Sequence, residues 1–273
     1  MSGAAPAPPT NRTPTSLGHP RVHLRRTGST NERARELAFA GAPHGTLVTA
    51  SEQTAGRGRQ GRRWSAPAGS SLLMSLALRE VAPLVPLMAA VAVCDVAGAQ
   101  ARIKWPNDIV VAASTRAGGA AGAGLAKLAG ILVEGRPQEG WAVLGIGLNV
   151  AVRLDQLPAE LRPDARGRAA ASAGLPAATL GLAPADVEPM LARLLAALER
   201  RLSEPAQATL EAWRARDALR GRDIAWGATG ETDERRGRGR AEGIDGSGRL
   251  IVALANGGRT TIGAGEVHLR ELY

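Results

Sequence analysis

The alternation of apolar and polar positions divides the chain into three stretches of different character. Residues 1 to about 20 are rich in Pro, Ala and Thr and show no periodic apolar face, which predicts a disordered tail. From there to residue 220, apolar runs of strand length alternate with stretches of helical spacing. After Gly221 the runs shorten and glycines divide them, as in a small all-β unit.

In the middle stretch, Ser29-Thr30-Asn31-Glu32 has the spacing of a capping box, and Ala34, Leu37, Ala38 and Gly41 follow at helical intervals. A helix is therefore expected from Ser29 until Gly41 and Pro43 end it. Thr46 to Ala50 and Leu72 to Leu78 read as strands. Leu84 to Ala99, apolar nearly all round with Pro83 and Pro86 at its start, reads as a buried helix. Ile103 to Val111 is a strand broken by a proline-fixed turn, and residues 112–126 form a Gly/Ala-rich loop. Lys127 to Glu134 and Trp141 to Val150 pair as a hairpin through Gly135 to Gly140, with close backbone approaches at Gly145 and Gly147. Residues 151–182 are irregular. Val187, Met190, Leu191, Leu194, Leu198 and Leu202 then make one helix face, and a shorter helix surrounds Trp213.

Past Gly221, turn signals at Asp245-Gly246 and Asn256-Gly257-Gly258 separate short strands, which suggests a small β-barrel. The expected class is α+β: a mixed β-sheet flanked by helices over residues 21–220, and the barrel over residues 221–273.

The formal charge of +9 suits acidic partners, but charge alone does not separate nucleotides, nucleic acids and acidic proteins. Much of the arginine excess resembles the product of a GC-rich coding sequence, because Lys104 and Lys127 are the only lysines among 34 basic residues. The single cysteine, Cys94, lies in an apolar run and forms no intrachain bridge, which fits a buried thiol in a reducing compartment. No apolar stretch reaches membrane-spanning length and no secretory signal is visible, so a cytoplasmic protein without a membrane partner is expected. Too few residues precede the first strand for a helix-turn-helix domain, and no specific DNA partner is expected.

The densest chemistry lies between Ser51 and Trp64, where Gly56, Gly58 and Gly61 alternate with Arg57, Arg59, Arg62 and Arg63. Such a loop turns freely and presents guanidinium forks and bare N–H groups to an anion. It is expected between two strands at the edge of a sheet; a plain basic surface loop or a nucleic-acid contact is the alternative. In Lys104-Trp105-Pro106-Asn107-Asp108, polar groups packed between apolar runs need partners or a task, although Asn and Asp also favour turns after Pro. Ser29 to Asn31 either cap a helix or ring a small ligand. Lys127 is either a solvated lysine at a strand mouth or part of the same cluster.

Four motifs, Gly56-Arg-Gly-Arg-Gln-Gly-Arg62 with Trp64, Lys104-Trp-Pro-Asn-Asp108, Lys127-Leu-Ala-Gly-Ile131 and Gly145-Ile-Gly-Leu-Asn149, occur in this order. Together they resemble the biotin protein ligase family, in its short form without an amino-terminal DNA-binding domain. The resemblance implies a class II synthetase-like catalytic domain followed by a small SH3-like barrel. It also implies a two-step reaction in which biotin and ATP give biotinyl-5′-AMP, which then acylates one lysine of a biotin carboxyl carrier protein, a subunit of acetyl-CoA carboxylase or a similar biotin-dependent carboxylase.

Carried onto this chain, the pattern gives catalytic roles to Lys127, Arg57, Lys104 and Asp108. Biotin contacts fall to Ser29, Thr30, Asn31, Gln53, Gly56, Arg57, Gly58, Arg59, Lys127, Gly130, Ile131 and Gly147. ATP contacts fall to Arg59, Arg62, Trp64, Asn107, Lys127 and Asn149. Mg²⁺ is expected with the ATP phosphates, no metal ligand is firmly assigned, and Asp108 serves either that ion or the acceptor amine. The 112–126 loop is longer than the family's usual turn. A lipoate or octanoate ligase or transferase of the same fold is the alternative enzyme, and a basic nucleic-acid-binding protein the alternative outside catalysis. A homodimer is left open.

Overall fold

Eight consecutive residues, Ser71 to Leu78, are buried, which is the signature of a strand covered on both faces. In the computed structural model this strand, β5 (Ser71–Arg79), is the third of seven in a mixed sheet. Its neighbours, both antiparallel to it, are β2 (Leu47–Gln53) and β9 (Trp141–Asn149). Outside β2, β1 (Arg21–Thr27) runs parallel to it. Beyond β9 come β8 (Leu125–Arg136), β7 (Asp108–Ala112) and β6 (Arg102–Lys104), each antiparallel to the last. The structure describes residues 17–79, 81–113, 124–136, 139–164, 174–227, 237–264 and 268–271.

Each face of the sheet is covered differently. Helix α1 (Thr30–Phe39) lies on one, where Ala34 and Ala38 pack with Val48, Ala77, Trp141 and Val143. Helix α2 (Val85–Ala97) lies on the other. Its nearly all-round apolar sequence, broken only by Asp95, is explained by α3 (Val187–Ser203) and α4 (Ala206–Arg214), which pack against it from outside, so ten of its residues are buried. Cys94 is among them, and burial pushes its thiol up to about 12.

The C-terminal strands are β10 (Asp223–Gly227), β11 (Gly237–Ile244), β12 (Leu250–Ala253), β13 (Arg259–Ile262) and β14 (His268–Glu271). They form an antiparallel sheet in the order β13-β12-β11-β10-β14. Among the described residues no pairing joins β13 to β14, so the sheet is seen open where a barrel is expected. Ile224, Ala241, Ile244, Leu250, Val252 and Ile262 belong to the same hydrophobic cluster as α2. Trp105 Nε1 donates to Gly248 O at 3.0 Å, tying the β6–β7 turn to this sheet.

Three local expectations are corrected. Helix α1 begins at Thr30, and no capping box forms, because Ser29 makes no side-chain cap; instead the Thr30 N–H donates to Gln53 Oε1 at 2.7 Å. A tertiary partner on β2 thus replaces the local one. Second, the arginine-glycine segment joins two interior strands, β2 and β5, rather than edge strands, and it contains a hairpin of its own, β3 (Gly56–Arg57) with β4 (Arg63–Trp64). Third, the chain is already ordered at Leu17, which is buried and whose N–H donates to Glu199 Oε1 at 2.7 Å. Residues 1–16, the rest of the expected tail, and residues 114–123 of the long loop lie outside the described residues.

Candidate functional site

Along a strand, alternate residues share a face. Gly145 and Gly147 of β9 therefore face the same way, and β8 places Leu132 and Gly130 opposite them. Where side chains would stand on this face, the glycines leave a floor of bare backbone. Two residues from elsewhere in the chain come down on it. A Cβ on Gly145 would lie 1.9 Å from Asn31 Oδ1, and a Cβ on Gly147 2.6 Å from the Trp64 ring. Both glycines are thus required by close approach.

Around Asn31 runs a row of buried polar groups. Gln53 Oε1 accepts from the Thr30 N–H at 2.7 Å and lies 3.0 Å from Thr30 Oγ1. Ser75 Oγ lies 2.8 Å from Thr30 Oγ1 and donates to Asn31 Oδ1 at 2.6 Å. Asn31 Nδ2 in turn donates to Glu134 Oε2 at 2.9 Å. The other oxygen, Glu134 Oε1, pairs with Arg57 Nη2 at 3.4 Å. Ser29, Thr30, Asn31 and Ser75 are all buried. Such a row is suited to a small ligand that carries both donors and acceptors.

The arginine-glycine segment folds over the other end of the same floor. The β3–β4 pairing sets Trp64 opposite Gly56 and delivers the indole onto Gly147 and Gly130, with its Nε1 buried and unpartnered. Lys127 Nζ lies 5.7 Å from the ring centroid and forms an ion pair with Asp108 at 2.6 Å. Arg59 points toward the β6–β7 turn, where its Nη1 donates to Asn107 Oδ1 at 3.4 Å, and its Nη2 donates to Ala264 O of the C-terminal sheet. Burial pushes the Arg59 guanidinium below its ordinary value; Asp108 pulls it back up and Arg62 adds to the lowering. A partly desolvated arginine held by neutral oxygens is poised for an anion.

The remaining sequence candidates fall around this groove. Lys104 is the cross-strand partner of Asp108. Asn107 Nδ2 donates to Ile131 O at 2.8 Å, locking the turn to β8. The Gly58 N–H donates to Arg62 O at 2.7 Å and closes the loop between the two arginine pairs. Asn149 ties β9 to its surroundings, accepting from Ser71 Oγ at 3.2 Å and donating to Ala178 O at 2.9 Å. Among the described residues no group of three or more His, Cys, Asp and Glu side chains could hold a metal ion. Sequence reading missed Ser75 and Glu134. The available signal was a lone hydroxyl inside the apolar run Leu72 to Leu78, and a carboxylate in line with Gly130 at strand spacing. A cavity of about 170 Å³ lined by Arg214, Asp217, Arg220 and Glu242 lies elsewhere, whereas the floor beside Lys127 is covered by the indole.

Residues 23–150 match the biotin/lipoate A/B protein ligase family, and residues 229–270 match the biotin protein ligase C-terminal domain. A biotin--[acetyl-CoA-carboxylase] ligase of Mycobacterium tuberculosis is 36% identical over 263 residues, covering 89% of this chain and 87% of that protein. The bifunctional ligase/repressor BirA of Bacillus spizizenii is 41% identical over 156 residues, 53% of this chain; the match spans only 44% of that protein's length. Among solved structures, the biotin protein ligase from Aquifex aeolicus in complex with biotin and ATP superposes with a TM-score of 0.68 at 22% identity, covering 92% of this chain and 99% of that one.

Proposed function

Because this chain belongs to the biotin protein ligase family, we propose that it activates biotin with ATP to biotinyl-5′-AMP and transfers the biotinyl group to a lysine of a biotin carboxyl carrier protein. The observation that carries this reading is the continuity of the groove. A row of donors and acceptors from Gln53 to Glu134, buried at Thr30, Asn31 and Ser75, leads across a glycine floor to the Lys127–Asp108 pair and the loop arginines.

In the first step a biotin carboxylate oxygen attacks the α-phosphorus of ATP. The new O–P bond forms as the bond to the leaving pyrophosphate breaks. Two anions meet here, so fixed cations must hold both without protonating the nucleophile. Arg57 and Arg59 are always charged and bidentate, and Lys127 offers a compact charge to the oxygens at the reacting centre. Lys104 adds positive charge beside Asp108, and Arg62 beside Arg59. Ser29, Thr30, Asn31 and Gln53 would hold the ring end of biotin, and Gly56, Gly58, Gly130 and Gly147 would allow the backbone close approach, while Ile131, on the opposite face of β8, holds the Asn107 turn through its backbone. Trp64, lifted from the floor, would cover the ligand and stack on adenine, with Asn107 and Asn149 as polar limits of the nucleotide site.

In the second step the acceptor amine attacks the acyl carbon, AMP leaves, and the amine proton is lost. Asp108, already against Lys127, is the nearby carboxylate able to take it. Mg²⁺ would supply charge neutralisation on the phosphates; Asp108, beside Lys127, is the acidic side chain that could help hold it, since both oxygens of Glu134 are engaged by Asn31 and Arg57, and among the described residues no protein cage is formed. The name of the Mycobacterium relative supports acetyl-CoA carboxylase as the source of the carrier. We take the C-terminal sheet as the family's small barrel, docked beside the loop through Ala264, and residues up to 220 as the catalytic unit. Among the described residues no helix is long and apolar enough to cross a membrane, which fits the proposed cytoplasmic site of action.

Labelled pyrophosphate exchange into ATP tests the reading. Exchange is expected with biotin and not with lipoate; equal exchange with both would overturn the substrate assignment.

A further inference from the structure

Glu134 has no role in the pattern of motifs, yet it joins both halves of the groove. It stands on β8 opposite Val143, on the face that carries Gly130 and Gly145. Its side chain is 24% exposed, and both of its oxygens are engaged, one by the Asn31 amide and one by Arg57. We infer that Glu134 is a positioning residue: it fixes the hydrogen-bond polarity of the biotin pocket and tethers the arginine-glycine loop over it. The inference rests on the ligase reading for its substrate, though not for its structural half.

The polarity argument follows from what each group can do. An ionised carboxylate only accepts, so Asn31 must turn its NH₂ toward Glu134 and its carbonyl toward Ser75. Ser75 has one proton and gives it to that carbonyl, which leaves the single Thr30 hydroxyl proton with two acceptors, Ser75 Oγ at 2.8 Å and Gln53 Oε1 at 3.0 Å. One acceptor at the end of the row thereby sets the Asn31 amide and the Ser75 hydroxyl next to it. An incoming ligand meets one orientation of Asn31 and of Ser75 rather than a mixture. With glutamine at this position either end of the amide could face Asn31, and the row would lose its direction.

The tether is the second consequence. Arg57 ends the first strand of the β3–β4 hairpin, opposite Arg63, and Glu134 is the acidic side chain of the sheet to which it is bound. Releasing that contact frees the loop at the end next to the ligand pocket while leaving the Lys127–Asp108 pair in place.

Two measurements on Glu134→Gln in the full chain test the inference. Without any ligand, trypsin should cut after Arg57, Arg59, Arg62 or Arg63 about threefold or more faster than in wild type, at an unchanged Tm, because a local opening has become easier. In biotin-dependent pyrophosphate exchange the biotin KM should rise about tenfold or more while kcat stays within about twofold. Glu134→Asp, which keeps the charge, should recover part of both effects. Unchanged cutting would overturn the tether, and an unchanged biotin KM would overturn the polarity role. A fall in kcat and Tm at constant KM would overturn both, since it marks a merely structural residue. If wild type shows no biotin-dependent exchange, the ligase reading falls, and the cutting rates still decide the tether.

Discussion

A single methyl group added to Gly145 should damage biotin binding more than folding. The new Cβ would lie 1.9 Å from Asn31 Oδ1 and 2.8 Å from Asn31 Cγ. Non-bonded heavy atoms rest roughly 3.5 Å apart, so the amide must move by on the order of 1 Å or more. That breaks the bonds it makes to Ser75 at 2.6 Å and to Glu134 at 2.9 Å. A neutral hydrogen bond contributes about 1 kcal/mol and one to a charged group about 1.5–3 kcal/mol, so the pocket loses roughly 2.5–4 kcal/mol of preorganisation. Expressed in affinity, this raises the biotin Kd by on the order of a hundredfold. Overpacking itself costs about 1–3 kcal/mol, which a domain with a typical margin of about 5–15 kcal/mol survives. Isothermal titration with biotin reads the first effect and a thermal melt the second. Gly246→Ala is the control, because nothing lies within 4 Å of a Cβ there. A Gly145→Ala protein that binds biotin within about twofold of wild type would refute the assignment of Asn31 to the ligand pocket.

Lys127→Arg should fold normally and form adenylate slower by on the order of a hundredfold, since the planar guanidinium cannot occupy the point between Asp108 and the Trp64 ring that the ammonium takes; single-turnover product analysis checks it, and near wild-type rates would remove Lys127 from the chemistry. In the β11–β12 turn, desolvation alone would raise the Asp245 carboxyl, but hydrogen bonds from the Arg249 N–H, the Ser247 hydroxyl and the Arg249 guanidinium outweigh it and hold the group at about 2, below its ordinary 3.8. The folded value is depressed, so this stabilisation is present above 3.8 and is lost as pH falls toward 2. Melting temperatures across that window should therefore fall more steeply for wild type than for Asp245→Ala, and parallel curves would refute the linkage.

The elements were legible where local spacing and burial agreed. The apolar runs at Leu72 to Leu78 and Trp141 to Val150, the nearly all-apolar helix behind Pro83 and the face from Val187 to Leu202 each appear in the structure close to their expected bounds, because burial on two faces or on one stripe leaves a periodic trace in sequence. The motif residues were legible for another reason. Glycines and charged side chains in apolar surroundings are costly, so they stand out wherever close approach or charge is required.

What the sequence could not contain was the geometry between distant segments. Ser29 looks like a cap, yet the helix takes its partner from Gln53, a strand away. Trp64 rests on Gly147 because the β3–β4 hairpin turns the loop back over the sheet. Glu134 reads as an ordinary strand residue until α1 lays Asn31 beside it and the loop brings Arg57 to its other oxygen. Period and composition are properties of neighbours along the chain and are set by local sterics and burial. Hydrogen-bond direction and ion pairing across the groove depend on atoms within about 3 Å, which only the packed sheet brings together.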